Sequence, residues 1–211
     1  SDVTPTTATI NLIHHGEEHY TIHFEDGTSE QKKLQQSELK KITFLEGENF
    51  AHIHHVDIVT PFEKMNEHII FVDTPGVGDL NEHRIDVTYS YIPRSSAVIF
   101  VIDCSTPLRR TELEYLQHHV IPNLHGELII VANFYDRIDE EEWEEAEEYI
   151  TRKLKKTLGN IPYVLLPIAA IENIDGEWSF EFKTLTKTLN KLAENGHYSE
   201  LMLQHFENRA A

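Results

Sequence analysis

Four short runs of apolar residues constrain the fold of this chain more than any other feature of its sequence. They occupy residues 69–73, 98–103, 128–133 and 163–168. A run without a polar face predicts a strand that is buried on both sides, as in parallel sheets. Helical patterns alternate with these runs, at residues 84–92, 108–120, 140–158 and 182–193. This alternation predicts an α/β fold with a mainly parallel sheet.

The sequence before the first run follows a different pattern. We predict a hairpin of strands 8–13 and 20–24, a turn at Asp26-Gly27, and a short amphipathic helix over 29–41. A strand with one polar face is expected around residues 53–59. At the other end, residues 199–211 predict the start of a helix leading out of the domain, so that residues 1–198 form one domain segment.

The composition restricts the direct partners of the chain. Its 211 residues include 18 basic and 36 acidic side chains, for a net charge of -18. An acidic surface repels nucleic acid and anionic bilayers, so neither is expected to bind this chain directly. The single cysteine, Cys104, excludes an internal disulfide framework. No apolar run approaches the roughly 20 residues that span a bilayer.

Three of the four apolar runs end in a polar side chain, namely Asp73, Asp103 or Asn133. In open parallel sheets, ligands bind outside the carboxyl ends of the strands. These three side chains are therefore candidates for one site.

The strongest motif is Asp73-Thr74-Pro75-Gly76, directly after an apolar run. An aspartate at a strand end can hold Mg²⁺, usually through water, and Gly76 would let the backbone N–H approach a phosphate closely. The alternative is a simple Pro-Gly turn after a strand. The buried strand before the motif favours the phosphate site.

A second motif, Asn133-Phe134-Tyr135-Asp136, follows the third apolar run. A carboxylate at Asp136 could accept two hydrogen bonds from the N1 and N2 edge of guanine, a pair of donors that adenine lacks. The alternative is an N-cap for the acidic helix that follows, but Asp139 could serve as that cap instead.

Two further motifs are weak when taken alone. Pro5-Thr6-Thr7-Ala8 could place the Thr7 hydroxyl on Mg²⁺, although threonine-rich loops are common. Pro167-Ile168-Ala169-Ala170 could present a backbone N–H to a base carbonyl oxygen.

Taken together and in this order, the four motifs resemble the later nucleotide motifs of a GTPase domain. The stretch DTPGVGDLNEHRIDVTYSYIPRSSAVIFVIDCSTPLRRTELEYL, from Asp73 to Leu116, resembles bacterial dynamin-like proteins, as does the long interval between Thr7 and Asp73. The resemblance covers nearly the whole chain. It implies a three-layer, P-loop-NTPase-like fold that binds GTP or GDP with Mg²⁺ and dimerises across the nucleotide face.

The resemblance also implies roles for individual residues and for the protein. Thr7 resembles the switch I threonine on Mg²⁺ and the attacking water, Asp73 the magnesium-side aspartate, and Gly76 the γ-phosphate-sensing glycine. Asn133 and Asp136 match the guanine-specificity motif, and Ala170 takes the backbone position near the guanine oxygen. Hydrolysis in this family drives membrane remodelling, which implies a cytoplasmic protein that reaches the membrane only through regions outside this chain.

The sequence departs from the family pattern at three points. Phe134 stands where the specificity motif usually has lysine, and Ala169 where serine is usual. No Gly-x-x-x-x-Gly-Lys-Ser/Thr motif occurs, since none of the nine glycines precedes a lysine. The first strand and P-loop helix of the fold are therefore expected to be absent from this chain, which would begin at switch I. We expect the parent protein to hydrolyse GTP and the 211 residues alone to be inactive.

Two other hypotheses stay open at this point. The missing P-loop and Phe134 would also suit a degenerate GTPase fold that binds protein partners without hydrolysing GTP. A metal-binding scaffold would rest on the histidines at 14, 15, 19, 23, 52, 54 and 55. Among these, His52 and His54 share one strand face by period two. A solvated strand face is favoured over a zinc or nickel site, because no cysteine or ordered acidic spacing completes a ligand set.

Overall fold

The computed structural model describes residues 10–34, 52–74, 91–170 and 179–194. The chain divides into two compact units, Ser1–Tyr91 and Ile92–Ala211. Each unit has its own sheet. No helix in the described part of the chain is long and apolar enough to cross a membrane.

The first unit contains a mixed sheet of five strands in the order β3-β2-β4-β1-β5. The strands are β1 (Asn11–His15), β2 (His19–Phe24), β3 (Ser29–Lys33), β4 (Ile53–Thr60) and β5 (Phe71–Asp73). Strand β1 runs parallel to β4 and antiparallel to β5. Strand β2 is antiparallel to both β3 and β4.

Two predictions for this region are wrong. Strands β1 and β2 do not form a hairpin, because β4 lies between them. Residues predicted to begin a helix at 29 instead form β3, which pairs with β2. All five residues of β3 are exposed, so it is held by backbone pairing rather than by an apolar face, and its side-chain pattern carries no strand signal. The predicted turn is confirmed, with Gly27 at φ +84° and the Thr28 N–H donating to Asp26 Oδ1 at 2.8 Å.

The apolar face of the first sheet is formed by alternating residues of its two inner strands. Tyr20 and Ile22 on β2 pack with Val56 and Ile58 on β4, and all four are buried. The alternate positions of the same strands point to the opposite face, which carries histidine and aspartate side chains. The predicted strand with a polar face at 53–59 is confirmed.

The second unit contains a parallel sheet in the order β6-β7-β8. The strands are β6 (Ala97–Asp103), β7 (Glu127–Asn133) and β8 (Val164–Ile168). The helices are α1 (Arg110–Tyr115), α2 (Glu140–Leu158) and α3 (Phe180–Glu194), with a π-helical turn Leu116–Val120 after α1. Short 3-10 turns cover Ile92–Arg94, Ile121–Asn123 and Tyr135–Arg137. This alternation confirms the α/β prediction and three of the four predicted parallel strands.

The helix predictions differ from the structure mainly at their ends. Helix α2 has the predicted bounds, while α1 starts two residues late and passes into the π-helical turn. Most of the predicted helix at 84–92, the helix from 199 and the boundary at 198 lie outside the described residues.

Strand β7 forms the centre of the second unit. Five consecutive residues, Leu128 to Ala132, are buried, which requires cover on both faces of the strand. Helix α2 buries Trp143, Ile150 and Leu154. Just before β7, a Cβ on Gly126 would lie 2.2 Å from the Ser96 carbonyl oxygen, so only glycine fits there.

Candidate functional site

The carboxyl ends of the second sheet bring several predicted residues together. Asn133 lies opposite Asp103 on β6 and opposite Ile168 on β8. All three strands are parallel, so their ends open at the same edge, where ligands of open α/β sheets bind. The residues that follow β7 and β8 are therefore neighbours at one edge of this unit.

Asn133 links the two loops at this edge. Its side-chain Oδ1 accepts a hydrogen bond from the Ala170 backbone N–H at 3.3 Å. Its own carbonyl oxygen accepts one from the Cys104 N–H at 3.0 Å. The two contacts fix the segment after β7 against the residues that follow β6 and β8. The structure thus places Asn133 and Ala170 side by side.

The turn after β7 presents Asp136 to solvent. Phe134 adopts the left-handed conformation, with φ +67° and ψ 30°, and Tyr135–Arg137 form a single 3-10 turn. This turn contacts β8. A left-handed residue is uncommon outside glycine and asparagine, so this loop is held in a specific shape rather than being a passive connection.

Asp136 is not needed to cap the helix that follows. The cap is Asp139, whose Oδ1 accepts a hydrogen bond from the Glu142 N–H at 2.8 Å. The Glu142 carboxylate in turn accepts one from the Asp139 N–H at 3.1 Å, which completes a capping box. The alternative explanation of Asp136 as a helix cap is therefore unnecessary, because Asp139 caps this helix.

Asp103, by contrast, has a local structural role. Its Oδ1 accepts hydrogen bonds from the Ser105 backbone N–H at 2.9 Å and the Ser105 hydroxyl at 2.6 Å. This is the Asx-turn pattern, which aspartate commonly supplies at the end of a strand. This turn accounts for the carboxylate at the end of β6, and no bound ligand is needed to explain it.

Asp73 belongs to the first unit, at the end of β5. The Asn11 side-chain amide donates a hydrogen bond to Asp73 Oδ2 at 3.2 Å, and the two residues are paired across β1 and β5. Surrounding protein atoms remove water from the carboxyl and raise its pKa, although the residue as a whole is exposed. The bond from Asn11 opposes that rise.

Thr7 and Gly76, the other two predicted residues on the phosphate side, lie outside the described residues. Their expected roles stay predictions. Strand β5 itself is shorter than predicted and pairs antiparallel with β1, in a sheet separate from β6, β7 and β8. The expectation that Asp73 ends a parallel strand is therefore wrong.

Two residues that contact the predicted motifs, Asn11 and Arg137, were not predicted from the sequence. Asn11 is 2% exposed and bonds to Asp73, and a polar residue within an apolar strand was the available signal. The Arg137 guanidinium carbon lies 4.0 Å from the centre of the Phe134 ring, a cation–π contact. Their spacing of three residues was visible, but only the left-handed turn brings the two side chains together.

A groove of mixed charge in the second unit borders the end of β6. Its described lining includes Cys104 and Ser105 after β6, the basic Arg109, Arg110, Arg152 and Lys153, and the acidic Glu114, Glu142 and Glu145, but not Asn133, Asp136 or Ala170. Arg110 is paired with Glu114 at 2.7 Å. The groove therefore adds nothing to the site predicted from the motifs.

Comparison with known proteins gives an independent result. The family model described as the Dynamin family matches residues 1–134. That range is more than half of the chain, and it covers Thr7, Asp73, Gly76 and Asn133.

Curated relatives match over different lengths. An uncharacterized protein in the xynA 3' region of Caldicellulosiruptor sp. (strain Rt8B.4) is 27% identical over 195 residues, covering 91% of this chain and 48% of that protein. A bacterial dynamin-like protein of Nostoc punctiforme is 29% identical over 131 residues, covering 57% of this chain and 19% of that protein. The chain spans about half the length of the first relative and less of the second.

Solved structures support the fold. Two structures of an oligomerised bacterial dynamin pair, described as sensing and tethering membranes, superpose with TM-scores of 0.68 and 0.70. They are 19% and 18% identical, and the superpositions cover 96% and 99% of this chain but 42% and 36% of theirs. At these identities the likeness concerns the fold alone.

Proposed function

Because this chain belongs to the dynamin family, we propose that it forms part of a GTP-binding and GTP-hydrolysing head. The observation that carries this proposal is the group at the carboxyl edge of the parallel sheet. There the Ala170 N–H bonds to Asn133 Oδ1 at 3.3 Å, and Asp136 is left exposed beside them.

In this proposal, Asp136 recognises the guanine base. Its carboxylate accepts hydrogen bonds from the N1–H and the exocyclic N2–H of guanine. Adenine offers no donor at either position, so the same carboxylate disfavours ATP. Asn133 holds the loop after β8 close to that base edge, and the Ala170 backbone is positioned near the guanine oxygen.

Phe134 and Arg137 replace the usual lysine beside the base. A lysine stem would cover the base, and the Phe134 ring can do the same by stacking. Arg137 already lies over the Phe134 ring at 4.0 Å, which leaves the other ring face for the base. A ring held in this way is less mobile than a lysine stem, so stacking costs less conformational entropy.

Asp73 is the described residue that suits Mg²⁺. Its carboxyl is a hard oxygen ligand, exposed at a strand end and oriented by Asn11. We propose that Asp73, through water, and the Thr7 hydroxyl hold the ion, and that the Gly76 N–H contacts the γ-phosphate. When bound, Mg²⁺ would neutralise charge on the phosphates. The sequence holds no Gly-x-x-x-x-Gly-Lys motif, so the proposal assigns the role of the phosphate lysine to none of these 211 residues.

The relatives suggest a setting for this activity. One relative is named a bacterial dynamin-like protein, and the superposed structures are of an oligomerised pair that tethers membranes. We propose that this head likewise dimerises and acts in membrane remodelling, with membrane contact made by other regions. Its net charge of -18 disfavours direct contact with an anionic bilayer.

The test is the Asp136→Asn variant of the full-length protein, with nucleotide affinity measured by calorimetry. Loss of a charge-assisted pair to the base edge should weaken GTP binding by roughly ten- to a hundredfold. Asparagine can accept from N1–H and donate to a carbonyl, so the variant should gain affinity for xanthosine triphosphate.

Asp139→Asn is the matched control. It makes the same chemical change three residues away, and asparagine caps a helix as well as aspartate does. GTP affinity and helix content should not change in that variant. Equal GTP affinity in Asp136→Asn and the parent would remove the assigned role. GTP binding without turnover in the full-length protein would instead support a pseudo-GTPase.

A further inference from the structure

We propose that the polar face of the first sheet holds a divalent transition-metal ion, with Zn²⁺ as the best fit, between His23, His55 and Asp57. The three residues come from two adjacent strands, β2 and β4, on the face opposite the apolar core. One ligand atom from each lies within 4.8 Å of the other two. This site is independent of the proposed nucleotide function.

The register of the sheet creates this cluster. His23 on β2 lies directly opposite His55 on β4, and Asp57 follows His55 by two residues on the same face. The imidazole rings of His23 and His55 stack with centroids 4.3 Å apart and planes 8° apart. Both rings therefore present an edge to the same carboxylate.

The distances place both ε nitrogens beside Asp57. His23 Nε2 lies 2.8 Å from Asp57 Oδ2, and His55 Nε2 lies 3.8 Å from Asp57 Oδ1. Each ligand atom of a tetrahedral zinc site lies about 2.0–2.2 Å from the metal. A small rotation of these side chains would direct His23 Nε2, His55 Nε2 and one Asp57 oxygen toward a shared ion instead of toward one another.

Neighbouring histidines support the ligands without joining the triad. His14 Nε2 on β1 lies 3.2 Å from Asp57 Oδ1 and fixes the carboxylate from the other side. His54 Nδ1 lies 2.7 Å from His55 Nδ1. With the proton on Nδ1 of His55, donated to His54, the Nε2 lone pair is free for a metal. His14 and His54 are positioning residues in this arrangement.

The sequence alone favoured a solvated histidine face, since no acidic residue appeared in ligand spacing. Asp57 supplies the missing acid, and it is 27% exposed while the His55 side chain is 19% exposed. Two imidazoles and one carboxylate select Zn²⁺ or a similar ion, because Mg²⁺ prefers oxygen ligands alone. A water molecule would complete four-coordination.

The first experiment measures binding of the metal alone. The untagged full-length protein is freed of metal with a chelator and titrated with Zn²⁺ and, separately, with Co²⁺. We expect one Zn²⁺ per chain and a visible Co²⁺ spectrum of tetrahedral intensity that Zn²⁺ abolishes. A tenfold excess of Mg²⁺ should displace neither ion. Absence of a stoichiometric Co²⁺ spectrum would overturn the proposal, whatever the variants do.

The second experiment assigns the ligands. His55→Gln and Asp57→Asn should each weaken Zn²⁺ binding by roughly ten- to a hundredfold. His68→Gln is the matched control, since His68 is also paired with an acid, Glu67 at 3.9 Å, but its side chain is 79% exposed. The control should retain full affinity and the Co²⁺ spectrum. Retention of both by His55→Gln would overturn the assignment, and a thermal scan of each apo variant identifies any that fail to fold.

Discussion

The two sheets of this protein bury their strands in different ways. In the second sheet, β7 is covered on both faces and five consecutive residues, Leu128 to Ala132, are buried. In the first sheet, β4 buries Val56 and Ile58 on one face, while the other face carries His55 and Asp57. The central strand of the second sheet is packed by apolar groups on both faces, and the first sheet combines one apolar face with a polar cluster.

This difference assigns the sheets different chemistry. The second sheet keeps its polar groups at the strand ends, where Asn133 and Asp136 are the residues that we propose to bind the base. The first sheet carries polar groups along the strands, and its strand-end carboxylate, Asp73, is bonded to Asn11. Ligands of a two-sided parallel sheet must bind at its edge, whereas a one-sided sheet can bind an ion on its face.

The largest expected effect is on GTP turnover, because neither sheet is joined to a phosphate-binding lysine motif in this sequence. The 211 residues contain no phosphate-binding lysine motif, so we expect no measurable GTP turnover from them and only weak, Mg²⁺-insensitive nucleotide binding. Among the described strands, β5 pairs only with β1 and β6 only with β7. Within the described residues, each of these strands therefore has one edge whose backbone N–H and C=O groups pair with no other strand. The Val101 side chain on β6 is also 56% exposed. We therefore expect self-association in sedimentation. A monomer that hydrolyses GTP would contradict this prediction.

The next prediction compares the cores directly. Ile130→Ala, at a fully buried position of β7, should cost near the upper end of about 2–5 kcal/mol of unfolding free energy. Ile22→Ala on β2 makes the same change in the first core and should cost near the lower end, because Ile22 is 8% exposed whereas Ile130 is 0% exposed. Denaturant titration of each variant checks the difference, and amide exchange shows which sheet opens. Equal costs would mean that two-sided burial does not distinguish the sheets.

A third prediction is that acid destabilises the first sheet before the second. The pKa of His55 falls from 6.5 to about 4 on folding. The unfolded chain therefore binds more protons between these pH values, and stability is lost as pH falls through this window. The loss is roughly 3 kcal/mol at most for this group. Besides being lowered by burial, the pKa of His55 is raised by the charge of Asp57 and lowered by three neighbouring histidines, His14, His23 and His54.

The measurement is amide exchange from pH 7 to 4 with a chelator present, so that no metal contributes. Amides of β4 should lose protection as the pH falls, while amides of β7 keep theirs longer. His55→Gln removes the titrating ring and should flatten the dependence of β4. If β4 and β7 lost protection in parallel, His55 would not be the cause.

The second sheet was predictable because its signal is local. A continuous apolar run specifies a strand buried on both faces without reference to its partners. The bounds of α2 were equally local, since Asp139 and Glu142 form its cap and Gly159 ends it at φ +61°. The first sheet was mispredicted where pairing was decided elsewhere, as in β3, whose exposed residues carry no strand pattern of their own.

The sequence by itself determined the α/β class, the three parallel strands and the motif residues at their ends, because burial periodicity and motif order are written into consecutive residues. Only the tertiary structure decided that β4 inserts between β1 and β2. That insertion brings His14, His23, His55 and Asp57 onto one face. The physical reason is that strand pairing depends on contacts between residues distant in the chain. Local pattern cannot specify such contacts when several strands could accept the same partner.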